Sequence, residues 1–107
     1  MKKKKPTGER ELFFKIWKER PHVCTACNKS LYGEPKVHYF SHILPKSRFP
    51  ELRLDPDNIL IECIECHSDY ETKGTDVIRS KDNFQKKLDY IEDKDYMRYC
   101  KLKGIWR

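Results

Sequence analysis

Two Cys-x2-Cys pairs, Cys24 with Cys27 and Cys63 with Cys66, constrain this chain more than any other feature. Each pair can present two thiolates to one tetrahedral ion, and 35 residues separate the pairs, more than the about 15 to 20 of common zinc modules. The intervening polypeptide must therefore leave the metal and return to it, as a strand, a loop and a second strand would. The need for such a staple follows from composition. Of 107 residues only 24 are Leu, Ile, Val or Phe, while 37% are charged, and a core that thin seldom holds without disulfides or a metal. There is no room for a second domain. Disulfides require an oxidising compartment, yet no signal-like apolar run follows Met1 to Lys5, and redox chemistry uses one such pair rather than two. All four sulfurs are therefore expected on one structural Zn²⁺. Cys100 has no partner and is expected to be a buried helix residue. No apolar run approaches the about 18 residues of a membrane span, so a cytoplasmic protein with no membrane partner is expected.

The net charge of +6 is unevenly spread. Residues 1–20 hold eight basic and three acidic side chains, whereas residues 21–66 hold five and six. Residues 1–8 read as a flexible basic arm able to neutralise phosphates, or as a solubilising or nuclear-targeting tail; residues 9–107 read as one domain. Thr7 is placed to cap a helix whose stripe is Leu12, Phe13, Ile16 and Trp17, ending before Pro21. Helical spacing accounts for Phe13 and Trp17 as core. Val23 to Glu34 forms a turn-rich knuckle. Lys36 to Leu44 alternates like a strand, with His38, Phe40 and His42 on one face. Residues 45–58 form an ordered loop, Ile59 to Ile61 a second strand, and a helix from about Cys63 to Gly74 carries His67 and Glu71 one turn apart. Ser80 is placed to cap a helix containing Phe84, Leu88 and Ile91, and Asp95 to Lys103 forms a last helix.

His42 before a proline-rich basic loop, Asn58 opening the second strand and His67 directly after Cys66 complete a pattern. Together with the knuckles it resembles the HNH, or ββα-metal, nucleases (His-Me finger) in their four-cysteine zinc form. The matching stretches are Ile16-Trp17-Lys18-Glu19-Arg20-Pro21-His22-Val23-Cys24, Phe40-Ser41-His42-Ile43-Leu44-Pro45-Lys46-Ser47 and Asp57-Asn58-Ile59-Leu60-Ile61-Glu62-Cys63. The likeness covers about residues 10–74 and is greatest to small phage HNH and phage recombination endonucleases.

The resemblance implies an α+β fold: a small zinc-stapled ββα-metal domain with its core at about 36–74 and flanking helices, the C-terminal ones at about 80–103. It implies a phosphodiester hydrolase acting on DNA, duplex or branched, in the host cytoplasm if phage-encoded, with phage packaging or recombination proteins as further partners. His42 would be the general base, Asn58 would brace the loop and orient it, and His67 would hold a catalytic Mg²⁺ or Mn²⁺. Where relatives commonly place Asp or His as a metal ligand, this chain has Ser41, a poor donor to a hard cation. Glu71 is the first candidate for the missing oxygen and Asp69 the second. Lys46, Arg48, Arg53 and Lys73 lie where they could clamp the phosphate backbone around His42. His22 and His38 read as structural or surface residues. The alternative is a non-catalytic zinc-stabilised module that binds nucleic acid or a phage protein.

Overall fold

The computed structural model describes residues 8–104; the basic arm, apart from Gly8, and the Thr7 cap lie outside them. Among the described residues, five α-helices and one two-stranded antiparallel sheet make up an α+β fold. Helix α1 spans Glu9–Glu19 and buries Ile16 and Trp17. The strands are β1, Phe40–His42, and β2, Ile59–Ile61, paired with Phe40 opposite Ile61, Ser41 opposite Leu60 and His42 opposite Ile59. Helix α2 is Ile64–Thr72, α3 Thr75–Arg79, α4 Phe84–Lys94 and α5 Tyr96–Lys103.

Alternation along β2 explains why the sheet, small as it is, organises the molecule. Successive side chains leave a strand on opposite faces. Ile59 and Ile61 join one core with Ile16, Trp17, Leu31, Phe40, Cys24, Cys63 and Cys66, while Leu60 joins another with Ile43, Leu44, Leu88, Ile91 and Leu102. The continuous Ile-Leu-Ile run is thus apolar on both faces because both are covered. The first core fastens α1 and the knuckle, and the second fastens α4 and α5. Asp95 starts α5 by accepting a hydrogen bond from the Arg98 amide at 3.3 Å.

Three expectations need correction. The first strand does not run from Lys36 to Leu44: Val37–Tyr39 is a 3₁₀ turn and only three residues pair. The partner explains this, since β2 offers three residues and the ladder extends past them only through Glu62 N to Tyr39 O and Ile43 N to Asn58 O. Helix α3 was not expected, and Ser80 ends it rather than capping α4, whose N-cap is Asn83. The loop at 45–58 holds two 3₁₀ turns, Pro50–Leu52 and Pro56–Asn58. Cys100 is buried in α5 as expected. Among the described residues no helix is long and apolar enough to cross a membrane.

Candidate active site

Main-chain hydrogen bonds shape the knuckle. The Cys24 amide donates to Lys29 O at 2.9 Å, the Asn28 amide donates to Cys24 O at 2.8 Å, and Asn28 takes a positive φ of 66°, which asparagine tolerates better than most residues. This turn aims Cys24 and Cys27 at the second pair. Cys63 is the N-cap of α2 and Cys66 lies in its first turn. All four sulfurs lie within 4.8 Å of one another, and Cys27 Sγ is 3.8 Å from Cys63 Sγ. A tetrahedral ion with bonds of about 2.3 Å sets its sulfurs about 3.8 Å apart, so the cluster could hold a structural metal ion such as zinc. Burial pushes the Cys63 and Cys66 thiols up. Lys81 Nζ, 3.6 Å from Cys66 Sγ and 2.9 Å from Asp69, is a nearby cation.

Residues of α1, β1 and α2 wall a cleft of about 870 Å³ that is lined by both His42 and His67. Each ring has one nitrogen fixed by a main-chain carbonyl. His42 Nε2 lies 3.1 Å from Arg53 O; a carbonyl only accepts, so Nε2 carries the proton and Nδ1 is left basic in the neutral ring. His67 Nδ1 lies 2.7 Å from His38 O, which by the same logic leaves Nε2 as a donor of electrons to a cation. Nε2 is also 2.9 Å from Glu71 Oε1. Adjacent ligands of an octahedral ion with bonds of about 2.1 Å are separated by about 3.0 Å, so these two atoms fit neighbouring corners of one coordination sphere. Among the described residues only the four cysteines bring three or more His, Cys, Asp or Glu ligand atoms together.

Asn58 supplies the rigidity behind His42. It is fully buried, accepts from the Leu44 amide at 2.8 Å, and donates to Leu44 O at 3.1 Å and Leu52 O at 3.2 Å. The loop is thereby closed one residue before the carbonyl that holds His42. Burial lowers the His42 pKa below the usual histidine range, with Lys46 and His67 adding to the effect while the Arg53 carbonyl and Glu9 oppose it.

The remaining expected residues fall into place unequally. Lys46 lines the cleft, and Arg53 presents its side chain towards Glu9. Arg48 lies over the Phe49 ring, and neither it nor Lys73 is part of the cleft wall. Asp69 is engaged by Lys81 and is likewise absent from that wall. Ser41 is buried, with its hydroxyl lacking a hydrogen-bond partner, and faces away from the cleft as strand alternation requires. His22 stacks on Trp17 at 3.8 Å with Nε2 2.8 Å from Trp17 O, while His38 contributes its carbonyl. Sequence reasoning overlooked three charged residues of the cleft: Glu9, Arg10 and Arg98. The first-turn acid of an amphipathic helix and a lone arginine near the C-terminus carry no local signal of such a role.

Compared with protein-family models, curated proteins and solved structures, the chain matches none.

Proposed function

We propose that this chain is a metal-dependent HNH-type endonuclease that hydrolyses DNA phosphodiester bonds, stapled by zinc at Cys24, Cys27, Cys63 and Cys66. The observation that carries the reading is the pairing of His42 and His67 in one cleft, each with a ring nitrogen held by a carbonyl so that Nδ1 of the first is a base and Nε2 of the second a ligand beside Glu71. In this reading His42 Nδ1 takes the proton of the attacking water. The Arg53 carbonyl keeps the ring in the needed tautomer and Asn58 keeps that carbonyl in place. Lys46 meets the phosphate, and His67 with Glu71 would hold Mg²⁺ or Mn²⁺. The cation would supply charge stabilisation at the phosphate and the departing oxygen.

Incubation with supercoiled plasmid and Mg²⁺ or Mn²⁺ is expected to give nicked circles. His42→Ala should slow nicking by at least about 100-fold, the usual contribution of a positioned base. Equal cleavage by both proteins defeats the reading. A non-catalytic zinc module that binds nucleic acid is the second reading, favoured by the gathering, among the described residues, of only His67 and Glu71 at the cation site and by the turned-away Ser41. It predicts salt-sensitive binding with no metal-dependent nicking.

A further inference from the structure

Glu9 lies beside two cations and a histidine that local sequence gives no reason to assemble. Its carboxylate is 3.4 Å from Lys46 Nζ, 3.7 Å from Arg53 Nε and 3.9 Å from His42 Nε2, with its side chain only 16% exposed. These groups come from the first turn of α1, from the start of the basic loop, from its middle and from β1, so the cluster is made by the fold. All three distances exceed those of strong charge-assisted hydrogen bonds. The Arg53 Nε is moreover buried with no hydrogen-bond partner. The arrangement is that of an anion site whose present anion reaches Lys46 at 3.4 Å but leaves Arg53 Nε unsatisfied.

Two uses exist for a carboxylate in such a cleft. As a metal ligand it would hold a divalent cation beside Lys46 and Arg53, which repel one. As an anion among cations it stands where a phosphate would bind, since a phosphodiester carries the same charge on a larger group with more acceptor atoms. The charges favour the second. We propose that Lys46 and Arg53, beside His42, form a phosphodiester-binding site and that Glu9 is its resident anion, displaced when a nucleic-acid phosphate enters. The identity of the ligand rests on reading the cleft as a nucleic-acid site, while the role of Glu9 does not depend on catalysis.

The test compares binding of a short fluorescent DNA duplex to the full chain and to Glu9→Gln, without added Mg²⁺ or Mn²⁺. Removing the competing charge is expected to tighten binding about tenfold and to steepen the slope of log K against log salt by about one, as one more phosphate is neutralised. Lys46→Met in the Glu9→Gln background should abolish the gain, and Glu9→Asp, which keeps the charge, should not show it. Equal or weaker binding by Glu9→Gln overturns the proposal. If the glutamine protein melts lower, Glu9→Ser, which suits a helix start, takes its place: tighter binding is again expected, and equal or weaker binding again overturns the proposal. Plasmid nicking is measured separately: tighter binding without nicking by any variant defeats the nuclease reading and leaves the anion site standing.

Discussion

Asn58 makes three hydrogen bonds to main-chain groups of the loop from a fully buried position. Asn58→Ala strands Leu44 N, Leu44 O and Leu52 O away from water, and each such group costs about 1–3 kcal/mol. Urea denaturation should therefore show a loss of about 2 kcal/mol or more. Asn58→Asp keeps the acceptor for Leu44 N but sets a carboxylate oxygen against two carbonyls, so it should not rescue stability. His42 yields a pH prediction. Burial places its pKa below about 6.5, so if it is the base of the proposed nuclease, acting as the neutral ring, kcat/KM for nicking should rise with pH through an inflection below about 6.5 and then level. A folded pKa below the unfolded one also means that the stability His42 contributes is present above about 6.5 and is lost as pH falls through the folded value. A pH series of melting temperatures for wild type and His42→Gln checks this. His42, Asn58 and His67 were legible because their order is written along the chain; Glu9 was not, because Lys46, Arg53 and His42 reach it only after the fold has closed.

At the level of elements, the join between β2, α2 and α4 is an unusual one. Glu62, directly after β2, and Lys87 of α4 form a fully buried ion pair at 2.8 Å, with Asn83 donating to the same carboxylate oxygen at 2.7 Å and the Tyr70 ring 3.6 Å from the ammonium. Lys87→Met leaves a buried carboxylate without its cation and should cost about 3–5 kcal/mol by urea titration, whereas adding Glu62→Met should recover most of it. A double mutant no more stable than Lys87→Met would show that the pair does not act as a unit. Such a pair is invisible in the sequence: Lys87 reads as the polar face of an amphipathic helix, and its burial is set by where α4 docks. The same holds for lengths. The alternation of Lys36 to Leu44 was genuine, but how far a strand runs depends on its partner, and β2 is three residues long. Helix α3, five residues long, is too short to display a helical period. By contrast α1 and α4 were legible from their apolar stripes, though not from the caps expected of them, and α5 falls within the span Asp95 to Lys103.

Over the whole molecule, the knuckle and the C-terminal helices are one structure. The segment between α3 and α4 is tied to the cysteine region through Lys81 on Asp69 and Cys66, the Asp82 amide on Ala26 O at 3.0 Å, and Asn83 on Thr25 Oγ1 at 2.8 Å. Removing the metal, or Cys63→Ser, should therefore unfold α4 and α5 as well as the knuckle, because metal affinity in such a domain is also folding free energy. Circular dichroism should show the loss of helix, and hydrogen exchange should show it in α4. A sharp melt with native ellipticity after complete chelation would contradict this. The walls of the cleft carry a further consequence. Glu9, Phe13 and Phe14 come from the first helix and Arg98 from the last, so a polypeptide cut ahead of α5 keeps both cleft histidines but lacks the Arg98 part of the wall around them. Head and tail of the described fold thus meet at one surface, and its wall is complete only once α5 has docked.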